Sequence, residues 1–187
     1  MTEFPPDSDE LMRRCGGIEL LLLDVDGVLT DGVIAVDDRG VETKHFHVRD
    51  GWAIARWREL GHRAAILSGR RSAAVDVRAA ELGISPVIQG AAEKRGPFLA
   101  LLAELELRPD QVAYMGDDLP DLPLLRSVGL AACPSDAAPE VAEFAHVVTR
   151  AGGGRGAVRE LVELILTHQG SWHELVDRCR APAIASG

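Results

Sequence analysis

The fold of this chain is constrained most by the alternation of short apolar runs with segments of helical character. Residues 18–24 form an almost continuous apolar run, which is typical of a parallel strand buried on both faces. Further strands are predicted at 62–67, 86–89, 111–115, 130–133 and 146–149, and helices at 52–60, 72–82, 97–107, 122–127, 139–144 and 157–168. Strands that alternate with helices over short connections indicate an α/β doubly wound fold with a parallel sheet.

A β-hairpin is predicted between the first strand and the first helix. Residues 33–36 and 42–48 flank the turn Asp37-Asp38-Arg39-Gly40, whose residue types favour a tight reversal. Asp50 is predicted to cap the helix that follows. The length of 187 residues suits one domain. We therefore predict a leader over 1–17, whose order the sequence leaves open, a single domain over 18–170 and a C-terminal tail over 171–187.

Charge and cysteine content exclude several classes of function. The net charge of -9 argues against nucleic acid as a partner, because a phosphate backbone attracts a basic surface. Cys15, Cys133 and Cys179 are widely spaced, so reduced thiols are expected rather than a disulfide framework or a zinc site. The sequence shows no apolar run of membrane-spanning length and no signal-peptide pattern, so we expect no membrane partner and a soluble, cytoplasmic protein.

Polar residues that follow the predicted strands are the main clue to function. Asp24 and Asp26 follow the first strand and point to the same side of an extended chain, where two carboxylates need a cation or a shared proton. Later strand ends and connections add Ser68, Lys94, Asp117, Asp118 and Asp121. Active sites of such sheets lie at the carboxyl ends of the strands, and carboxylates are preferred ligands of Mg²⁺. A magnesium site is therefore predicted here.

Each of these residues, taken alone, has an ordinary structural explanation. Aspartate is common in turns and caps, a serine such as Ser68 often caps a helix, and a lysine such as Lys94 is usually a solvated surface charge. Asp118 is explained equally well as a turn residue, and we assign it no role. Only the occurrence of all of them together, in this order and at strand ends, indicates a functional site.

Four motifs in the chain resemble those of the haloacid dehalogenase superfamily of phosphotransferases. They are Asp24-Val25-Asp26-Gly27-Val28-Leu29-Thr30-Asp31-Gly32, Ser68-Gly69-Arg70, Lys94, and Gly116-Asp117-Asp118 with Asp121. The similarity covers residues 18–170. Within the superfamily, the stretches at 45–52, 68–70, 114–123 and 150–161 resemble the 3-deoxy-D-manno-octulosonate 8-phosphate phosphatases. That family is itself similar to phosphatases of sialic-acid-like nonulosonate 9-phosphates.

The resemblance implies a role for each motif residue. Asp24 would be the nucleophile that forms a phospho-aspartate, and Asp26 would be the general acid and base. Asp24, the backbone carbonyl of Asp26, Asp117 and the nearby Asp121 would hold Mg²⁺. Residues implied to bind the substrate are Thr30, Asp31, Ser68, Arg70 and Lys94.

Specificity and assembly are also implied by the resemblance. The spacing between motifs leaves room for a hairpin and no large cap domain. The resembled family is tetrameric with packed hairpins, so a homotetramer is expected, although the apolar hairpin residues also fit packing within one chain. The C-terminal tail is expected either to reach over a neighbouring active site or to be an ordinary disordered end. Arg70 suits a sugar carboxylate, and a simple surface arginine is the alternative.

Several other functions stay open or are disfavoured on sequence grounds. A nonulosonate 9-phosphate, another small phosphoester, and a non-catalytic assembly domain are the alternatives to the octulosonate ester. The presence of Asp26 disfavours a dehalogenase, because dehalogenases of this superfamily usually lack the second aspartate. Residues 152–156 lack the lysine of a P-loop, which disfavours P-loop nucleotide chemistry.

Overall fold

The structure, a computed structural model, describes residues 8–181. Its helices are α1 (Ser8–Gly16), α2 (Val48–Glu59), α3 (Ala73–Leu82), α4 (Arg95–Leu105), α5 (Leu122–Leu125), α6 (Pro139–Ala142), α7 (Ala157–His168) and α8 (Trp172–Arg180), with short 3₁₀ helices at Pro109–Gln111 and Leu119–Asp121. Its strands are β1 (Leu20–Leu23), β2 (Ala35–Val36), β3 (Glu42–Thr43), β4 (Arg63–Ser68), β5 (Val87–Gln89), β6 (Val112–Met115), β7 (Leu130–Cys133) and β8 (Val147–Val148).

The main sheet has six parallel strands in the order β5-β4-β1-β6-β7-β8. The chain builds outward from β1 to β4 and β5 on one side, then returns to the other side with β6. This reversal places the carboxyl ends of β4, β1 and β6 next to one another and opens a crevice there. The predicted α/β doubly wound fold is confirmed.

The continuous apolar character of β1 follows from its place in the middle of this sheet. Leu21 and Leu23 face the core that α2 and α7 cover, whereas Leu20 and Leu22 face the core that α4 and α5 cover. All four side chains are fully buried. A strand in this position has no solvent face, so polar residues appear only where it ends.

The hairpin forms, but its strands are shorter than the sequence predicted. Only Ala35–Val36 and Glu42–Thr43 pair, and the pairing is antiparallel. The turn is held by the Asp37 carboxylate, which accepts hydrogen bonds from the backbone N–H groups of Arg39 and Val41. The two strands of the hairpin pair with each other and with no other described strand. An isolated two-stranded ribbon is only marginally stable, so its regular pairing stays short.

Asp50 caps a different helix from the one predicted. It lies within the first turn of α2, which begins at Val48. Its carboxylate accepts hydrogen bonds from the backbone N–H groups of Gly156 (3.3 Å) and Arg159 (2.7 Å) at the start of α7. The prediction was wrong because a buried carboxylate can satisfy the free N–H groups of a helix that is distant in sequence.

The leader and the tail each contain a helix that the sequence patterns did not predict. In α1, Leu11 and Cys15 lie one turn apart and pack against the core. In α8, Trp172 and Leu175 are buried on the same core. Neither pattern is long enough to signal a helix by itself, and tertiary packing stabilises both.

Helix α8 is joined to the domain by an arginine between two indole rings. The guanidinium carbon of Arg159, in α7, lies 4.6 Å from the ring centroids of both Trp52 and Trp172. Cation–π contacts of this kind connect α2, α7 and α8. Residues 182–187, which complete the predicted tail, and residues 1–7 of the leader lie outside the described residues. Between residues 8 and 181, no helix combines the length and the apolar composition needed to cross a bilayer.

Candidate active site

The loop after β1 forms the floor of the crevice. The carbonyl of Val25 accepts hydrogen bonds from the N–H groups of Val28, Leu29 and Thr30, which folds residues 25–30 into a compact turn. Gly27 has a φ of +82°, and a Cβ there would overlap the carboxylate of Asp117. Only glycine fits both the positive φ and this close approach.

The glycine-rich segment at residues 152–156 packs directly on this loop. A Cβ on Gly153 would overlap the carbonyl of Gly27, and the N–H of Gly154 donates to the carbonyl of Val28 at 2.9 Å. Asp136 supports the segment by accepting a hydrogen bond from the N–H of Gly153 at 2.9 Å. The glycines therefore allow backbone to pack on backbone behind the crevice.

Lys94 connects two buried carboxylates at the centre of the crevice. Its Nζ lies 2.8 Å from Oδ2 of Asp24, 2.5 Å from Oδ1 of Asp121 and 3.3 Å from the hydroxyl of Tyr114. That hydroxyl donates to Oδ1 of Asp121 at 2.7 Å. Burial by itself lowers the pKa of Lys94, but the two carboxylates outweigh burial and the net shift is upward. Lys94 is therefore held in its charged form.

Three carboxylates converge on one position at the ends of β1 and β6. Oxygens of Asp24, Asp117 and Asp121 lie within 4.8 Å of one another. Burial, followed by the charges of Asp24 and Asp121, raises the pKa of Asp117 to about 7. Burial also raises the pKa of Asp24, against the lowering effect of Lys94. A cation between these groups would offset the cost of burying their negative charges and would reduce the repulsion between them. All the donor atoms are oxygens, which fits Mg²⁺.

Asp121 and Asp118 mainly organise the backbone around this position. Oδ2 of Asp121 accepts from the N–H groups of Asp117 (2.9 Å) and Asp118 (3.3 Å), while its Oδ1 binds Lys94 and Tyr114. Both of its oxygens are therefore engaged. The carboxylate of Asp118 accepts from the N–H of Leu119 at 2.8 Å and caps the short 3₁₀ helix, which agrees with the turn explanation.

Asp26 lies beside Asp24 and contacts the hairpin. Its Oδ1 pairs with the ammonium group of Lys44. Lys44 also lies 3.0 Å from Oε1 of Glu42, whose Oε2 is 2.5 Å from the guanidinium of Arg70. The Nε of Arg70 lies 3.4 Å from Oδ2 of Asp26. These four residues form a charged network at one side of the crevice.

Sequence reasoning missed Lys44, Glu42 and Tyr114. Glu42 and Lys44 are two positions apart on an extended segment, so the sequence did indicate that their side chains point to the same face. Nothing in the sequence indicated that this face turns toward Asp26. Tyr114 lies inside a predicted buried strand, where a hydroxyl needs a hydrogen-bond partner, and Asp121 provides it.

Not every predicted substrate residue reaches the crevice. Ser68, at the end of β4, is buried and lines it together with Arg70 and Lys94. The hydroxyl of Thr30 instead donates to the carbonyl of Val25 (3.4 Å) and accepts from the N–H of Gly32 (3.3 Å) inside the loop. The carboxylate of Asp31 lies 3.7 Å from the guanidinium of Arg155, and it is the adjacent Gly32 that lines the crevice.

Comparison with known proteins shows extensive similarity to one group of hydrolases. The family model of the haloacid dehalogenase-like hydrolases matches residues 52–129. The 3-deoxy-D-manno-octulosonate 8-phosphate phosphatase KdsC of Yersinia pestis is 45% identical over 168 residues, which is 90% of each chain. The KdsC protein of Escherichia coli (strain B / BL21-DE3) is 44% identical over 173 residues, which is 92% of each chain.

A solved structure extends this similarity to three dimensions. The 3-deoxy-D-manno-octulosonate 8-phosphate phosphatase of Moraxella catarrhalis superposes with a TM-score of 0.90 at 38% identity. The match covers 92% of this chain and 99% of that one. That crystal structure contains a magnesium ion, a phosphate ion and a KDO molecule.

Proposed function

Because the chain belongs to the haloacid dehalogenase-like hydrolases, and within them to the 3-deoxy-D-manno-octulosonate 8-phosphate phosphatases, we propose that it hydrolyses that sugar phosphate. The observation that carries the proposal is the convergence of Asp24, Lys94 and Asp117 at the carboxyl edge of the sheet. A nucleophile, a cation for the phosphoryl group and a metal-binding carboxylate are the groups that phosphoryl transfer needs.

Asp24 is proposed as the nucleophile. Its Oδ1 accepts a hydrogen bond from the N–H of Val25 (2.7 Å), and its Oδ2 is 2.8 Å from Lys94, so the carboxylate has a fixed orientation. An Asp24 oxygen attacks phosphorus as the bond to the sugar oxygen breaks, which leaves a phospho-aspartate and the free alcohol. Water then attacks that phosphorus, releasing inorganic phosphate and restoring the carboxylate.

Asp26 is proposed to move the protons in both steps. Its Oδ2 is buried and has no hydrogen-bond partner among the described residues. The protonated carboxyl gives its proton to the leaving sugar oxygen in the first step. The carboxylate takes a proton from the attacking water in the second step.

Positive charge at the crevice has two proposed sources. Lys94 and the hydroxyl of Ser68 are proposed to bind phosphoryl oxygens, since both line the crevice together with Asp24 and Lys94 is paired with that carboxylate. Asp24, Asp117 and the backbone carbonyl of Asp26 would hold Mg²⁺, with Asp121 behind them. When bound, Mg²⁺ neutralises charge, so that an anionic nucleophile can approach an anionic phosphate.

Recognition of the sugar is the finer part of the proposal. Arg70 is 46% exposed at the rim of the crevice, but its guanidinium already binds Glu42. A sugar carboxylate would have to share that guanidinium or displace Glu42. A nonulosonate 9-phosphate carries the same kind of carboxylate, so it is the substrate to test against the octulosonate ester.

Assembly and location complete the proposal. Val33, Ile34, Val36 and Val41 are each more than half exposed on and beside the hairpin. Exposed apolar residues grouped in this way favour contacts between subunits, which supports self-association, and we propose a homotetramer. The cysteines Cys15, Cys133 and Cys179 are free, which supports a reducing compartment such as the cytoplasm.

A phosphate-release panel tests the proposed function. The purified protein is assayed with Mg²⁺ on 3-deoxy-D-manno-octulosonate 8-phosphate, a nonulosonate 9-phosphate and several neutral sugar phosphates. We expect the highest kcat/KM on the octulosonate ester. A clear preference for the nonulosonate ester, or for a neutral sugar phosphate, would contradict the assignment.

A further inference from the structure

We propose that Lys44 is a positioning residue for Asp26, an inference that rests on the phosphatase function proposed above. Lys44 follows the hairpin strand β3 and lies outside all four sequence motifs. We infer that it holds one oxygen of the Asp26 carboxylate and thereby directs the other oxygen toward the substrate. The hairpin is then part of the proton-transfer apparatus in addition to being a contact surface.

The first observation is the burial of Lys44. Its side chain is only 2% exposed, although it belongs to a two-stranded ribbon at the surface. An ammonium group removed from water must be paired, and Lys44 is paired with Asp26 and Glu42. The hairpin segment thus places a buried ammonium group in contact with the Asp26 carboxylate.

The second observation is the asymmetry of the Asp26 carboxylate. Oδ1 accepts the hydrogen bond from Lys44. Oδ2 is buried without a hydrogen-bond partner among the described residues, and the Nε of Arg70 lies 3.4 Å from it. Because Lys44 occupies Oδ1, Oδ2 is the oxygen left to exchange a proton with a bound substrate.

Glu42 makes this arrangement rigid. It contacts Lys44 through Oε1 and Arg70 through Oε2. Arg70 follows the end of β4, so the network joins the hairpin to the main sheet through a chain of opposite charges. A carboxyl group that must give its proton to a particular oxygen gains from such fixed neighbours, because misplacement by about 1 Å can cost on the order of 10²-fold in rate.

The proton step makes the inference testable. When the bond from phosphorus to a sugar oxygen breaks, the electron pair stays on that oxygen, and Asp26 supplies the proton that makes it an alcohol. A 4-nitrophenolate leaves as a stable anion and needs no such proton. Loss of Asp26 positioning should therefore slow the sugar ester more than the aryl ester.

The experiment compares Lys44→Met with wild type on both esters, in the presence of Mg²⁺. We expect kcat/KM for 3-deoxy-D-manno-octulosonate 8-phosphate to fall about tenfold to hundredfold more than kcat/KM for 4-nitrophenyl phosphate. Lys44→Arg keeps the charge and should restore part of the lost selectivity. Arg39→Met is the matched control, since Arg39 is an exposed cation of the same hairpin and pairs with Asp37 in the turn. It should leave the ratio of the two rates unchanged.

A double-mutant cycle separates positioning from a direct contact with the sugar. In an Asp26→Asn background there is no acid to position, so adding Lys44→Met should not change the ratio further. An equal loss on both esters, or full additivity with Asp26→Asn, would overturn the inference. The rate of hydrolysis of the aryl ester serves as the control for correct folding of the active site in each preparation. If wild type hydrolysed neither ester, the proposed function itself would be wrong.

Discussion

Lys94 and Asp24 form a buried ion pair, 2.8 Å between Nζ and Oδ2, that joins the connection after β5 to the end of β1. The same ammonium group binds Asp121, so one cation compensates two carboxylates that come from β1 and from the segment after β6. The pair therefore fixes three parts of the sheet edge relative to one another.

Replacement of Asp24 by asparagine should abolish turnover without unfolding the protein. The amide keeps the shape of the side chain, but it removes the proposed nucleophile, so we expect a loss on the order of 10⁴-fold or more. Lys94 keeps its pairing with Asp121. Phosphate release and thermal unfolding, measured side by side, check this. Steady-state rates similar to wild type would exclude a phospho-aspartate on Asp24.

Removal of divalent cations should stop catalysis and lower stability. A chelator should abolish phosphate release, and added Mg²⁺ should restore it. Because ligands that bind only the folded state stabilise it, Mg²⁺ at about 100 times its Kd should add about 2.7 kcal/mol. Asp117→Asn should weaken both effects. Undiminished phosphate release in excess chelator would disprove the metal assignment.

Arg70→Ala should affect acidic sugar phosphates selectively. A charge-assisted hydrogen bond to a sugar carboxylate contributes about 1.5–3 kcal/mol, so kcat/KM for the acidic ester should fall, while that for a neutral sugar phosphate, whose leaving oxygen also takes its proton from Asp26, changes less. Arg71→Ala is the control, since Arg71 is the adjacent exposed arginine and packs beside Gly90. Equal losses on both substrates would show that Arg70 does not recognise the carboxylate.

Asp50→Ala should destabilise the protein without altering the chemistry. The change removes the acceptor for the N–H groups of Gly156 and Arg159, and loss of such a cap costs about 0.5–2 kcal/mol. Urea unfolding measures the change in the free energy of unfolding. Asp38→Ala, in the exposed hairpin turn, is the control. A free energy of unfolding equal to wild type would contradict the capping role.

His146 should make the protein less stable in mild acid. Its Nδ1 accepts a hydrogen bond from the N–H of Ala131 at 2.9 Å, and burial, followed by the charge of Arg14, lowers its pKa. In the pH range between that lowered pKa and about 6.5, the unfolded chain binds more protons than the folded chain. Stability conferred by the neutral ring is therefore lost as pH falls through that range.

A comparison with His146→Gln measures this contribution. The difference in the free energy of unfolding between wild type and variant should shrink from about pH 7.5 to about pH 5. His62 also has a pKa lowered by burial, so some acid sensitivity should persist in the variant. A difference that is constant over this range would contradict the assignment.

Regular elements of the fold were predictable wherever the local pattern and the tertiary environment agree. Residues 130–133 and 157–168 form β7 and α7 with the predicted bounds, because an apolar run and an amphipathic pattern already specify them. Helices α1 and α8 were missed, since their stability comes from burial of a few side chains such as Trp172 against distant elements.

The site was predictable only in part for the same reason. Asp24, Lys94 and Asp117 follow strands or begin a helix, so topology alone brings them together. Lys44 and Glu42 belong to a hairpin whose orientation is set by long-range ion pairs with Asp26 and Arg70. No local pattern encodes such pairs. Asp50 was assigned to the wrong helix because its partners lie more than a hundred residues away.

The central position of β1 has a consequence for synthesis of the protein. Strand β1 is the first strand of the sheet to be made, yet it lies between β4 and β6, and β6 comes last of the three. Synthesis proceeds at about 5–20 residues per second. Until β6 has been made, the edge of β1 on which β6 pairs stays open, and the four leucines of β1 lie beside it. An open apolar edge is a template for pairing with another chain. Chains that stop before β6 should therefore aggregate and depend on chaperones.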